Sequence, residues 1–504
     1  MTTSLVDQYG WNARVRDRLG WPLTAALLAA AAGIGVVVAY LLGLGLWHLA
    51  LILLVVAPAF YLLSRYPLSA LMVWLAIDPF LMAIEGGGAA REIYWLVHRA
   101  LPVGALLLIV LGRLIGVRRE RFHKLGWPEM MVAGYLLLTV VSIAYRSPDT
   151  IATYIYMWDH VLVPFSLYLL IRLLAPDEYD LRRLVPFFAF FLVTQAVIGG
   201  LSLVAPGFLP ESYLGREFRT TGTLRHPNVY GVTLLFAGLY VAHWGQLMED
   251  RPRLRGLANL AAVLAAGMGI ATLSRATWVA VLVVVFGLLF IYPHLTRRIL
   301  AFGVAAALIA VFMGGILTGV GDALNNRLRS EETALSRLPV IVASLRMIED
   351  RPVFGFGYEN FDRFDQEYQG SIEGLYVPDK DHASHNFFLT LGAEGGLVGL
   401  TLYLGPILWA AAKTLGGLDH LPKTGFRSKR LVWILWLALA AQAVAYNFSN
   451  NRVAFGLAVW WMTVGLLVSL CDWTETVAEK ADADLHQQMR SLDERQSGAL
   501  EPVP

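Results

Sequence analysis

The feature that most constrains this chain is a succession of about fourteen apolar runs, each of about twenty residues and so long enough to cross a hydrocarbon layer as a helix. Hydropathy places them near 21–44, 46–64, 68–88, 99–116, 128–145, 160–175, 184–206, 229–247, 256–273, 277–292, 298–318, 386–413, 430–447 and 454–471. Inside a membrane every backbone N–H and C=O must find its partner within the protein, and a helix achieves that unaided. The expected fold is all-α, a polytopic integral membrane protein. Composition agrees: 57% of the 504 residues are hydrophobic and 15% are charged, against about 25% charged in soluble domains. The lone cysteine, Cys471, excludes an intramolecular disulfide and a cysteine-built zinc site. Residues 1–20 are polar and carry Arg14, Arg16 and Arg18. The apolar run after them is longer than a signal-peptide core and reads as an uncleaved first span.

Orientation follows from arginine and lysine in short loops, which favour the cytoplasmic side. Basic loops hold Arg118, Arg119, Arg121 and Lys124, then Arg182 and Arg183, then Arg251, Arg253 and Arg255, then Arg297 and Arg298, and finally Lys423, Arg427, Lys429 and Arg430. Each is two spans beyond the last, so one topology puts all of them, and both termini, inside. That topology divides the chain into a cytoplasmic N-terminus (1–20), eleven spans (21–318), one large extracytoplasmic loop (319–385), three spans (386–471) and a polar cytoplasmic tail (472–504). Within the large loop, 336–349 has the apolar spacing of an amphipathic helix. Asp350, Arg351, Pro352, Gly355 and Gly357 then break it.

The same topology leaves an excess of arginine outside. Arg216, Arg219 and Arg225 lie between 207 and 228, Arg275 sits in a very short link, the large loop adds Arg327, Arg329, Arg337, Arg346 and Arg351, and Arg452 follows the thirteenth span. Long-loop arginines escape the charge bias, and some pair with acids such as Glu331 and Glu332. Arginine near a membrane core costs about 2.5–3.5 kcal/mol on insertion scales, so Arg219, Arg225 and Arg275 in short links call for an anionic ligand. A guanidinium fork binds two phosphate oxygens at once, which fits the diphosphate headgroup of a lipid carrier.

Four segments carry a family resemblance. Arg219, Gly222, Pro227 and Asn228 stand as in an "RxxG…PN" segment, and Ser274-Arg275 before an apolar helix as in an "SR" motif. Asp350, Pro352, Gly355, Gly357, Asn360 and Phe361 fit "dxPlfGxGxxnF", and His385, Asn386, Leu389, Glu394, Gly396, Gly399 and Leu400 follow "HNxxLxxxxExGxxGL" in outline. In this order, over roughly 210–470, the chain resembles the O-antigen ligase and O-antigen polymerase family of membrane glycosyltransferases. The resemblance implies a polyprenyl-diphosphate-linked glycan donor attacked on the outer face by an acceptor hydroxyl, on lipid A-core or on a lipid-linked repeat unit, with no cofactor and no metal. It implies that Arg219 and Arg275 hold the diphosphate, with Arg225 and Arg337 helping to neutralise it, and that His385 is the base.

The residues themselves agree with that chemistry. A departing diphosphate needs positive charge where its negative charge grows, and the attacking hydroxyl needs a base of near-neutral pKa. His382 and Asp381 are alternative bases to His385. Asn386 and Asn228 suit a helix start or a sugar hydroxyl. Glu394 lies nine residues after His385, on the opposite helical face at 100° per residue. It is expected to anchor an arginine or a neighbouring helix, while the Gly392/Gly396 and Gly395/Gly399 pairs suggest close helix packing. Asp78, before Pro79, is a second intramembrane acid at an expected kink. No nucleotide-binding fingerprint appears, and nothing suggests nucleic acid. The competing class is a multi-pass transporter or flippase of lipid-linked glycan, which predicts internal repeats and ionisable groups near the midplane of both halves.

Overall fold

A computed structural model describes residues 66–81, 89–114, 125–215, 219–312, 337–369, 386–418, 421–448 and 452–472, with a few positions between 33 and 46. The two N-terminal spans, the tail after 472, Arg216, Arg327, Arg329, Asp381, His382 and His385 lie outside the described residues. The rest is helical, with no strand among the described residues. The helices are α1 (Leu68–Leu81), α2 (Ala89–Tyr94), α3 (Leu101–Leu114), α4 (Trp127–Arg146), α5 (Thr150–Met157), α6 (Val163–Leu174), α7 (Glu178–Val204), α8 (Pro227–Gly245), α9 (Pro252–Ala271), α10 (Arg275–Ile291), α11 (Pro293–Phe312), α12 (Leu338–Asp350), α13 (Phe361–Gln369), α14 (Phe387–Gly417), α15 (Lys429–Asn447) and α16 (Ala454–Asp472). Among the described residues, 8 continuous helices are long and apolar enough to cross a membrane.

Two of them run through π-helical stretches. Trp95–Ala100 joins α2 to α3, and Trp158–Leu162 joins α5 to α6. The resulting spans, Glu92–Leu114 and Thr150–Leu174, start well before the 99 and 160 expected from hydropathy, because polar residues inside them interrupt the apolar run. The amphipathic helix expected over 336–349 is α12, and its chain break at Asp350 is where Pro352 follows.

The bundle is organised around α8 and α16. Almost every side chain of α8 is buried, and α16 is buried along its whole apolar window. A helix apolar on all sides belongs in the middle of other helices, and α8 packs on α7, α9, α10 and α15. On the rim, Leu282, Phe286 and Phe290 of α10, and Val193 and Val197 of α7, are exposed at four-residue spacing. They form stripes suited to hydrocarbon rather than water.

One end of the bundle is tied by buried polar contacts. Arg172 of α6 donates to Glu129 of α4 at 2.6 Å and also pairs with Asp472 at the end of α16, while the Tyr168 hydroxyl reaches the same Glu129 oxygen at 2.8 Å. His243 of α8 bridges the Tyr292 hydroxyl and the Phe426 carbonyl, both at 2.8 Å. A carbonyl only accepts, so Nε2 carries the proton there and, in the neutral ring, Nδ1 accepts from Tyr292. This bridge sets the end of α10 beside the start of α15. The opposite ends of those helices, at Arg275 and Asn447, therefore share the other face of the molecule.

Candidate functional site

That other face gathers the four motifs in two interlocked pairs. The first pair joins the 219–228 segment to the α9–α10 turn. Arg219 donates through Nε to the Thr272 carbonyl at 3.2 Å, Thr220 N–H reaches the Ala271 carbonyl at 3.4 Å, and Ser274 donates its hydroxyl proton to Asn228. The segment is held from beneath by Thr223, whose hydroxyl donates to the Pro79 carbonyl at 2.6 Å and accepts from Gln195 Nε2 at 2.8 Å, while its N–H reaches Gln195 Oε1 at 3.0 Å. The loop thus hangs from α1 and α7; Arg225 on it and Arg275 in the turn are both exposed, and Arg219 between loop and turn is half-buried. Asn228 does not cap α8. His226 occupies that position, and the Asn228 side chain belongs to Ser274.

The backbone here is unusual. Among the described residues the non-glycine positions with positive φ are Ala175, Arg225, Leu273 and Glu359. Three of these four lie in the motif segments. Conformations of that kind cost free energy and persist where surrounding contacts enforce them, commonly at functional sites.

The second pair is a loop inserted into a broken helix. Within α14 the backbone leaves helical geometry at Gly396, with φ 63° and ψ −168°. Two amides of the 352–357 segment bond across the break, Phe356 N–H to the Ala393 carbonyl at 2.9 Å and Gly357 N–H to the Glu394 carbonyl at 2.8 Å. In return Leu397 N–H reaches the Pro352 carbonyl at 2.7 Å and Val398 N–H the Val353 carbonyl at 3.2 Å. Backbone groups opened inside a span must be satisfied by protein, and this loop does so. The approach requires glycine twice: a Cβ on Gly396 would stand 2.3 Å from the Val353 oxygen, and one on Gly355 2.5 Å from the Ala393 oxygen. The glycines expected to pack helices closely divide: Gly392 lies against Ile348 of α12 and Gly399 against Leu138 of α4, whereas Gly396 admits a loop and Gly395 faces open space.

Glu394 sits at this junction. Its Oε2 accepts from Arg452 Nη2 at 2.6 Å, its Oε1 is 3.3 Å from the Phe361 amide, and Arg452 also pairs with Glu359. Burial alone would lower the Arg452 pKa, but the two carboxylates outweigh it and raise the value well above that of free arginine. Arg146 of α4 clamps the loop through the Gly355 carbonyl, and Ser142 accepts the Tyr358 amide at 2.8 Å. Asn386 caps α14 by accepting from Leu389 N–H at 3.0 Å, and lies 3.4 Å from the Asn447 carboxamide. Arg337, at the cap of α12, donates to the Phe448 carbonyl at 3.1 Å. So Arg337, Asn386 and Arg452 all collect around the end of α15 and the start of α16. His385, immediately before Asn386, is outside the described residues.

Residues 260–404 match the family model described as O-antigen ligase. The chain carries an O-antigen ligase domain. The match includes Arg275, Arg337, His385, Asn386 and Glu394, and begins after Arg219, Arg225 and Asn228. No curated protein matches the chain. The 219–228 segment nonetheless packs directly on the O-antigen ligase domain, through the Thr272 and Ser274 contacts above.

Sequence reasoning singled out Asp78 but missed the polar cluster it belongs to. Asp78 of α1, His98 and Arg99 of the first π-helical stretch, and Asp159 of the second are linked by ion pairs inside the bundle. The apolar runs at 99–116 and 160–175 begin one residue past His98 and Asp159, so hydropathy does not single these two groups out. A search for ionisable side chains at the margins of apolar runs would have found them.

Proposed function

We propose that this protein is a glycosyltransferase that transfers or polymerises a polyprenyl-diphosphate-linked glycan, as an O-antigen ligase or polymerase does. The observation that carries the proposal is the joining of the Arg219–Asn228 segment to the Ser274–Arg275 turn within reach of an O-antigen ligase domain. Their guanidinium groups offer the forked donors a diphosphate accepts. Arg219 and Arg275 bind the diphosphate, and Arg225 and Arg337 offset the charge that grows on it as it leaves. In the transfer an acceptor oxygen forms the bond to the anomeric carbon. The bond from that carbon to the diphosphate oxygen breaks with its electron pair on the diphosphate, and the hydroxyl proton passes to His385. The arginines supply the charge that a divalent cation supplies in other phosphate chemistry, so the reaction is expected to proceed in chelator. Donor and acceptor, a lipid A-core or a lipid-linked repeat unit, meet on the outer face of the bacterial inner membrane. There the large loop 319–385 covers a bundle of about fourteen spans with both termini in the cytoplasm.

The bias of basic residues supports this sidedness, since Arg182, Arg183, Arg251, Arg253, Arg255, Lys423, Arg427, Lys429 and Arg430 all lie at the end remote from the motifs. The transporter alternative draws on the buried Asp78–His98–Asp159 cluster. That cluster lies on three helices of the N-terminal half, whereas an inverted-repeat carrier places such groups in both halves. The deciding experiment uses purified protein in nanodiscs with a polyprenyl-diphosphate-linked oligosaccharide, with and without lipid A-core, in chelator. Product on the core identifies a ligase, and longer lipid-linked chains identify a polymerase. Donor bound without product, in wild type as in Arg275→Ala, would overturn the transferase reading in favour of transport.

A further inference from the structure

The two π-helical stretches pack against each other, and the first also packs against α1. Wide turns of this kind recur at functional sites because they re-aim side chains within a span. Here they aim His98 and Arg99 at Asp159. His98 Nδ1 lies 2.8 Å from Asp78 Oδ1, and both side chains are 0% exposed. Arg99 grips Asp159 in a fork, Nε to Oδ1 at 2.6 Å and Nη2 to Oδ2 at 2.7 Å. His98 Nε2 points towards Asp159 but stops 3.9 Å from Oδ1, beyond hydrogen-bond reach. Neither His98 Nε2 nor Asp78 Oδ2 has a hydrogen-bond partner among the described residues.

A purely structural polar cluster is expected to be fully satisfied, because each open buried donor or acceptor costs free energy. Among the described residues this one keeps a nitrogen and an oxygen open. Charge counting gives a reason: two carboxylates and one guanidinium leave one negative charge in a medium of low dielectric, and one proton on the imidazole cancels it. The cluster also touches both halves of the site. Pro79, next to Asp78, is the residue that seats Thr223 and with it the arginine segment. On the other side His160 stacks on Tyr156 with ring centroids 3.8 Å apart, and Tyr156 lies beside Arg452 and Tyr358.

We propose that Asp78, His98 and Asp159 form a proton-binding site inside the bundle, and that it takes up the proton released when the acceptor hydroxyl is glycosylated. This rests on the transferase reading only for the source of the proton. As the acceptor oxygen bonds to the anomeric carbon and the diphosphate leaves with its electron pair, the hydroxyl proton passes from the base that receives it to His98 Nε2. The titratable and charged groups facing His98 are Asp78 from α1, Tyr94 and Arg99 from its own span, and Asp159 and His160 from the facing π-helical stretch.

The test is a pH titration of ¹⁵N-histidine-labelled full-length protein in nanodiscs, read by NMR without any substrate. The His98 signal is assigned by its loss in His98→Gln and, independently, by its displacement in Asp159→Asn, so failure of one variant to fold leaves the assignment standing. The expected result is a change of protonation state across about pH 5 to 8, with a midpoint that moves in Asp159→Asn. In the transfer assay His98→Gln is expected to lower kcat about 100-fold, leave the donor KM unchanged and flatten the pH–rate profile. A His98 ring fixed in one protonation state over that range, in a wild type that forms product, would overturn the proton site and leave the transferase reading intact. A titrating His98 in a wild type that forms no product would uphold the proton site and overturn the reaction as its source.

Discussion

At the scale of single residues, the informative groups are those whose partners the sequence left open. Glu394 reads as an intramembrane acid that anchors an arginine or a neighbouring helix, and its partner is Arg452. Removing one partner of a buried ion pair strands the other, so Arg452→Met is expected to destabilise the protein by about 3–5 kcal/mol, which thermal unfolding in nanodiscs will show. Glu394→Gln keeps a hydrogen bond to Arg452 and is expected to cost clearly less. For the diphosphate, Arg275→Lys retains the charge but loses the fork. Its donor affinity is expected to fall by about tenfold or more, equivalent to about 1.4 kcal/mol, measured by binding of the lipid-linked donor. Arg219, Arg275 and Glu394 were legible because arginine in short outer links and acid in an apolar run are both anomalies. His98 and Asp159 were not, because their polarity itself moved the apparent edges of the spans past them.

At the scale of elements, hydropathy and proline placed most helices within a few residues, α12 and α15 among them. It gave no sign of the break in α14, because each half of the helix is apolar and the break is made by a loop some forty residues earlier in the sequence. Glycine spacing was visible, its purpose was not. The paired substitution that exposes this purpose is Gly396→Ala against Gly395→Ala. The first forces a Cβ against the Val353 backbone at a positive φ, and is expected to cost about 1–3 kcal/mol. The second enters open space and is expected to be neutral or mildly stabilising. Melting temperatures of the two variants in one detergent decide it. Thr223→Val removes the hydroxyl's bonds to the Pro79 carbonyl and Gln195 Nε2 and leaves the backbone N–H bond to Gln195, so donor binding is expected to weaken while Arg219, Arg225 and Arg275 are all still present.

At the scale of the whole molecule, charge distribution carries the orientation. The exposed Glu211 lies at the motif end and the exposed Lys423 at the other. In a Cys471→Ala background, Glu211→Cys is expected to react with a membrane-impermeant thiol reagent added outside spheroplasts, and Lys423→Cys only after permeabilisation. The opposite pattern would invert the topology and place the motifs in the cytoplasm. The all-helical class was legible from composition and run length. The way the four motifs interlock was not, since contacts between Arg219 and Thr272, or Gly357 and Glu394, follow no local period.

The loop threaded into α14 has a consequence for how the chain is made. Residues 352–357 leave the ribosome before residues 394–398, so in the proposed topology the plugging segment crosses the membrane before the interrupted helix arrives. The break, about 14 Å along α14 from Phe387 at 1.5 Å per residue, thus never has to face lipid with open carbonyls. Direction of synthesis and direction of assembly coincide. A circular permutation placing the C-terminal spans first would deny the helix its ready-made partner, and is expected to yield a protein held up at insertion rather than one that is merely less active.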